Sequence, residues 1–330
     1  MPIRPFSMIE RTVPLRAATL AALCLASASP APVRDPQLWV SNEVGNSISV
    51  IAPRTNTVTA TITVGKRPRG MALSPDGRTV YVALGQDDAV GVIDVAKATL
   101  TRTIPVGRDP ELVVVSPDGG TLFVSNEEIA HASGVDVQTG RIKFSTQVGV
   151  EPEGIAVSPD GSKVYVTAET SNTVSVLDAA TGRLRKTIPV GENPRTVALT
   201  PDGRRAYVTA EAGGNVTILD VATDSVLGQF PIRDGKTKPV RIAFTPDGRL
   251  AYVTEGAAGT VSVVDLAAQR VTDTIAVGKR PWGIALARDA QRLYTADGRS
   301  NQVSVIDTDA RKVVATVPVG DRPNDLLYIP

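Results

Sequence analysis

The 330-residue chain contains one cysteine, Cys24, and one histidine, His131. A multi-histidine metal site, a cysteine zinc site and a disulfide framework are therefore excluded. No Gly-x-Ser-x-Gly elbow accompanies His131, so a Ser-His-Asp set has no frame. The histidine reads as a solvated residue of the loop Glu127-Glu128-Ile129-Ala130-His131. A Cys-x-x-Cys-His haem attachment site is missing, as is a glycine-rich phosphate loop opening a helix. Aromatic residues make up only 4% of the chain, and 35 basic side chains balance 34 acidic ones. Charge so near neutrality gives no general reason to bind nucleic acid or an anionic membrane. No apolar run is long enough for a stable membrane span.

The N-terminal apolar run, Ala17 to Ala26, follows Arg4, Arg11 and Arg16 and precedes Ala26-Ser27-Ala28. A basic start, a short apolar stretch and an A-x-A site read as a secretory signal over residues 1–28, with an uncleaved anchor as the alternative. A linker over residues 29–36 and a single domain over 37–330 are expected to follow. The mature protein is then expected in the periplasm or outside the cell. Cleavage removes Cys24 and leaves 32 basic against 33 acidic side chains. Stability must then come from burial and strand pairing, although the compartment permits disulfides.

What the chain does have is repetition. Trp39, Tyr81, Phe123, Tyr165, Tyr207, Tyr252 and Tyr294 mark seven copies at intervals of 42, 42, 42, 42, 45 and 42 residues. Such a period with strand patterns indicates radially repeated small sheets. In one copy, Gly154-Ile155-Ala156-Val157 reads as an inner strand buried on both faces. Ser158-Pro159-Asp160-Gly161 is a tight turn. Lys163 to Thr167 and Val174 to Asp178 alternate as second and third strands. Leu184 to Val190 is the outer strand, where Pro189 is tolerated at an edge. The expected fold is all-β, a seven-bladed β-propeller of four-stranded antiparallel blades.

The chain ends are out of phase with the repeat. Leu38-Trp39-Val40-Ser41-Asn42 is a second strand without a first, and Arg322 to Pro330 is a first strand without a blade. The C-terminal strand is therefore expected to join the first blade and close the ring. Ala132-Ser133-Gly134-Val135-Asp136 stands where other copies have Val-Ser-Val-Ile-Asp, so this strand is expected to pack poorly. The segment 233–239 is three residues longer than its counterpart.

The Tyr-Val-Thr strand, the Ser-Pro-Asp-Gly turn and the Val-Ser-Val-Ile-Asp strand resemble the YVTN-repeat β-propellers over residues 37–330. Lys66-Arg67-Pro68-Arg69-Gly70, Arg108-Asp109-Pro110-Glu111-Leu112, Val150-Glu151-Pro152-Glu153-Gly154 and Lys279-Arg280-Pro281-Trp282-Gly283 are similar to segments of exported propellers associated with PQQ-dependent alcohol catabolism. The resemblance implies an exported seven-bladed propeller and carries no catalytic residue set.

Residues following the loop prolines, with Arg241 from the next ring position after Val240, should ring the channel mouth. The candidate ligand- or partner-binding residues are Arg69, Glu111, Glu153, Arg195, Arg241, Trp282 and Asn324. Arg69 and Arg195 are expected to hold anionic groups, Glu111 and Glu153 to accept donors, and Trp282 to stack; mutual pairing of these charges is the alternative. No cofactor is expected, with Ca²⁺ at Glu43, Glu127 or Glu128 the weak exception. The leading expectation is a monomeric, non-catalytic accessory propeller binding a small ligand or a periplasmic or surface protein. A carboxylate- or Ca²⁺-dependent lactonase, lyase or hydrolase and a cell-surface scaffold are the alternatives, between which fold does not decide.

Overall fold

The computed structural model describes residues 1–3 and 35–330. The expected leader beyond its first three residues, and the linker up to residue 34, lie outside the described residues. Among the described residues no helix is long and apolar enough to cross a membrane.

Residues 35–330 form one compact unit of seven four-stranded antiparallel sheets, the blades of a propeller. Blade 1 combines Pro323–Ile329 with Gln37–Asn42, Ser47–Ala52 and Thr57–Thr63. Blades 2 to 7 are contiguous over residues 68–105, 110–147, 152–189, 194–231, 239–276 and 281–318. In each blade the strands run from the channel outward as inner, second, third and outer. Gly85–Asp87 adds a single 3₁₀ turn.

Alternating side chains leave every blade with two apolar faces, which no blade covers alone. Each face is therefore buried against the neighbouring blade. The core between blades 1 and 2 joins Trp39, Ile48 and Ile62 to Val80, Val82 and Ile93. The core between blades 7 and 1 joins Tyr294 and Val305 to Leu38, Val40 and Leu326. All seven aromatic anchors are buried on second strands. Second and third strands are buried almost throughout, whereas inner strands become half-buried toward their far ends. The expected double burial of the inner strand is thus only partial, because it lines the axial channel.

The ring closes as the phase mismatch predicts. Gln37 pairs with Ile329, Leu38 with Tyr328, Trp39 with Leu327 and Val40 with Leu326. Tyr328 stacks on Tyr294 of blade 7, with centroids 6.3 Å apart. The Asp325 carboxylate accepts the Met71 amide of blade 2 at 2.8 Å.

A hydroxyl on the second strand staples neighbouring blades where the inner strand bulges. Thr167 Oγ1 accepts the Gly154 amide at 2.7 Å and donates to the Arg195 carbonyl of the next blade at 3.1 Å. Ser125, Thr209 and Thr254 repeat the arrangement, donating to the carbonyls of Glu153, Val240 and Trp282. This gives the threonine of the Tyr-Val-Thr strand a physical role. The opposite-face turns are held by their aspartates: Asp160 accepts the Ser162 amide at 3.0 Å. Asp289 does the same for Gln291, and Ala290 takes a left-handed φ of 58° where the other turns use glycine.

One expectation is overturned. The third strand of blade 3, His131–Asp136, is buried like its counterparts. Gly134 leaves a space, but the Phe144 ring of the outer strand fills it and packs toward Phe123 at 6.3 Å. The missing volume is supplied from across the blade.

Deleting residues 322–330 should destabilise the whole domain, since Leu326, Leu327 and Ile329 each contribute about 1.5–3 kcal/mol of burial against a total near 5–15 kcal/mol. A truncated chain that melts with the full-length protein would contradict the closure. Thr167→Val should cost about 1–3 kcal/mol by orphaning the Gly154 amide and Arg195 carbonyl, read from denaturant midpoints; an unchanged midpoint would show that the staple is idle.

Candidate functional site

Every inner strand begins at its loop proline, so the next side chain is delivered to the channel mouth. The seven candidate residues Arg69, Glu111, Glu153, Arg195, Arg241, Trp282 and Asn324 do converge, together lining one small cavity with Leu112, Thr196 and Val240. Its free space is about 10 Å³, room for no more than one water. The mouth is closed by its own side chains.

Ion pairs make that closure. Arg69 contacts Glu43 at 3.1 Å, Glu111 directly, and Glu153 at 3.8 Å. Arg195 reaches Glu153 and Glu169, both at 2.6 Å, and Glu211 at 2.5 Å. Glu211 also takes Arg280 at 2.9 Å, and the Arg280 guanidinium lies 4.3 Å from the Trp282 ring centroid. Arg195 lies on the same ring at 5.4 Å. Asn324 donates to Glu43 at 3.3 Å, and Arg241 approaches Asp325 at 3.6 Å. The charges therefore pair with one another, the alternative weighed for the mouth.

Burial sets their titration. It works against the charge on Arg69, yet Glu111, Glu153 and Glu43 raise that guanidinium's pKa on balance. Burial would also raise Glu43, but Arg69 and Arg67 bring it below its ordinary value. Glu211 is likewise lowered, by Arg195 and Arg280 against burial. Glu111 goes the other way: at 1% exposure, burial lifts it well above the usual carboxylate range, with Glu153 and Glu127 adding to the effect against Arg69.

The candidate Ca²⁺ ligands part company. Glu128 pairs with Arg108 at the exposed rim, 2.8 Å away. Glu43 turns to Arg67 and Arg69. Glu127 instead joins Asp109 and Glu111, whose carboxylates lie within 4.8 Å of one another. Arg67 supplies a cation to that group: it pairs with Asp109, with Glu111 at 3.0 Å and with Glu127 at 3.9 Å. His131 bonds through Nδ1 to the Ile129 carbonyl.

A second ring was missed in the sequence. Arg67, Asp109, Glu151, Asn193, Lys238, Arg280 and Arg322 stand just before the loop prolines, each with a left-handed φ of 51–60°. With the loops between second and third strands, they divide the mouth face by charge. Around blades 2 to 4, Asp87, Asp88, Asp109, Glu127, Glu128, Glu151, Glu169 and Glu192 stand against Arg108, with Lys66 and Arg67 where the arc begins at the entry to blade 2. From the end of blade 5 to the end of blade 7, Arg233, Lys236, Lys238, Lys279, Arg280, Arg299 and Arg322 stand against Asp234 and Asp321. The extended 233–239 segment belongs to this basic arc. Loop composition around the prolines was the available signal.

On the opposite face, blades 4 and 5 bound an open groove of about 640 Å³. Its Lys163 is committed to Asp224 at 2.9 Å and to the Val221 carbonyl at 2.6 Å, and Tyr165 donates to Asp224 at 2.8 Å. These bonds latch two blades together.

The chain matches the model of the YNCE-like beta-propeller family over residues 8–329, and it belongs to that family. A chain of Kuenenia stuttgartiensis hydrazine synthase is similar at 26% identity, covering 82% of this chain and 92% of that one, with a TM-score of 0.76. A periplasmic gluconolactonase of Pseudomonas aeruginosa is similar at 18% identity, with coverage of 89% and 99% and a TM-score of 0.76. A functionally unknown protein from Desulfotomaculum acetoxidans reaches a TM-score of 0.78 at 18% identity, with coverage of 88% and 98%. At 18% identity the likeness concerns the fold alone. No curated protein matches the chain.

Arg69→Met should leave buried carboxylates uncompensated and cost about 3–5 kcal/mol at pH 8. Without Arg69, the folded-state pKa values of Glu43 and Glu111 move upward. Carboxyls raised above their unfolded values lose stability as pH rises through the folded values. The gap from wild type, measured by urea unfolding, should therefore narrow from pH 8 to pH 5. A gap independent of pH would contradict this account of the mouth.

Proposed function

We propose, for this member of the YNCE-like beta-propellers, an exported and non-catalytic accessory role in which the mouth face is the recognition surface. The observation that carries this reading is a face divided into acidic and basic arcs above a channel closed by its own ion pairs. Such a surface offers fixed, oppositely charged contacts at the rim, while the plug beneath keeps a ligand from entering the axis. Complementary charge of this kind favours specificity and association rate. The N-terminal leader supports the periplasm as the compartment. The resemblance of the connecting segments supports placing the protein beside quinoprotein alcohol oxidation.

A lactonase, lyase or hydrolase finds less support in the geometry. Glu111, the mouth carboxyl raised most, lies under the plug in contact with Arg67 and Arg69. General acid–base work requires reach to the substrate as well as a displaced pKa.

The test places a photo-crosslinking residue at Glu128 in the acidic arc, at Ser300 in the basic arc and at Arg270 on the opposite face, in cells exporting the protein during growth on an alcohol. Discrete adducts are expected from the mouth positions only, and the purified protein should not hydrolyse lactones. Adducts from Arg270 alone or equally from all positions, or lactone hydrolysis abolished by Glu111→Gln, would contradict the proposal.

A further inference from the structure

The basic arc contains two adjoining cavities, the smaller of which opens over the plug residues Arg69 and Trp282. One, of about 260 Å³, is lined by Glu43, Arg69, Arg280, Trp282, Arg299 and Arg322, with Gly298 at its edge. The other, of about 440 Å³, shares Arg280 and Arg299 and adds Lys238 and Lys279. Its remaining wall is the segment Gly256-Ala257-Ala258-Gly259, with nothing larger than a methyl group where other blades carry long side chains.

The cations here differ from those of the plug. Arg67, Arg69 and Arg195 each touch several carboxylates, whereas Lys279, Arg299 and Arg322 are exposed and have no acidic group within 4.0 Å among the described residues. The one acid of the smaller cavity, Glu43, is already engaged by Arg67 and Arg69. Arg280 is held in place between Glu211, 2.9 Å away, and the Trp282 ring. Gly298 is required for this wall, since a Cβ there would stand 2.8 Å from Trp282 Cδ1. The result is a concave site with a fixed guanidinium and aromatic wall, flanked by cations without counter-ions.

We propose that this site binds a small polyanion carrying two or more carboxylate or phosphate groups. The inference rests on the mouth face being the recognition surface and names what its basic half recognises. Guanidinium forks match the planar oxygens of carboxylate and phosphate in paired hydrogen bonds. Several neighbouring cations without counter-ions repel one another, and a single multivalent anion relieves that repulsion where a monovalent one relieves it only in part. The two bounded cavities have the dimensions of a small-molecule site.

Tryptophan fluorescence supplies the test. Of the two tryptophans, Trp39 is fully buried, so collisional quenching in solution reports on Trp282. In the mature protein at low ionic strength, iodide should quench several-fold more strongly than caesium. Citrate and pyrophosphate should each suppress iodide quenching at concentrations where acetate does not. Arg299→Glu combined with Arg322→Glu should weaken both anions about tenfold or more, because rim charges are removed and reversed, with an unchanged melting temperature in their absence. Arg270→Glu on the opposite face should leave binding as it is. The proposal is overturned if neither anion protects Trp282, if the double variant binds as wild type, or if polyglutamate protects where citrate does not. Loss of anion binding with crosslinks still confined to the mouth would sink this inference alone; crosslinks from the opposite face would sink the recognition surface itself.

Discussion

No blade of this protein can bury its own two faces, and that constraint organises everything else. Each sheet needs a neighbour on both sides, so stability requires a ring without ends. The last interface, between blades 7 and 1, is completed by Pro323–Ile329, the inner strand of blade 1, which adds Leu326 and Tyr328 to Leu38, Val40 and Ile51. Closure in turn fixes the radius at which the seven loop prolines deliver their side chains. The mouth is thus a consequence of the apolar packing, although the residues forming it are charged.

Once the inner strands line a narrow axis, polar groups there lose water and must satisfy one another. Hydroxyls on the second strands do so for the backbone, and arginine–carboxylate contacts do so for the charges. Buried ion pairs are a weak source of net stability, but removing one partner is costly. The mouth network is therefore better understood as enforcing a single arrangement of the plug than as strengthening the ring. Counter-ions are abundant on the axis and around blades 2 to 4. They thin out toward blades 6 and 7, where Lys279, Arg299 and Arg322 remain exposed with no acidic partner among the described residues. Chemistry available to solvent is concentrated there.

Much of this was legible from residue spacing. The recurrence of Tyr165-like anchors, the Ser-Pro-Asp-Gly turns and the complementary phase of Trp39 and Leu326 determined blade number and closure, because these are local signals repeated seven times. The convergence of Arg69, Glu111, Glu153, Arg195, Arg241, Trp282 and Asn324 follows from their place one or, for Arg241, two residues after the loop prolines. Other features depend on contacts between segments far apart in the chain. Gly134 looked like a defect because its compensating ring, Phe144, sits on another strand. The partners of Arg69 and Arg195 are not written in the spacing, since a position beside a loop proline suits an arginine facing a ligand as well as one facing a neighbouring carboxylate. The outer charged ring has no strand pattern to mark it, because left-handed turns place Lys238, Arg280 and Arg322 at the rim one residue before the inner strands begin.

The most direct test of a closed ring beneath the proposed recognition face is hydrogen exchange on residues 35–330, alone and with citrate. The account predicts that amides of residues 323–329 exchange as slowly as those of the other inner strands. It also predicts that citrate slows exchange only in the mouth-face loops that line the two cavities, at 236–238, 256–259, 277–280, 298–301 and 319–322. Rapid exchange of the terminal strand, or protection by citrate at the opposite-face turns, would contradict it.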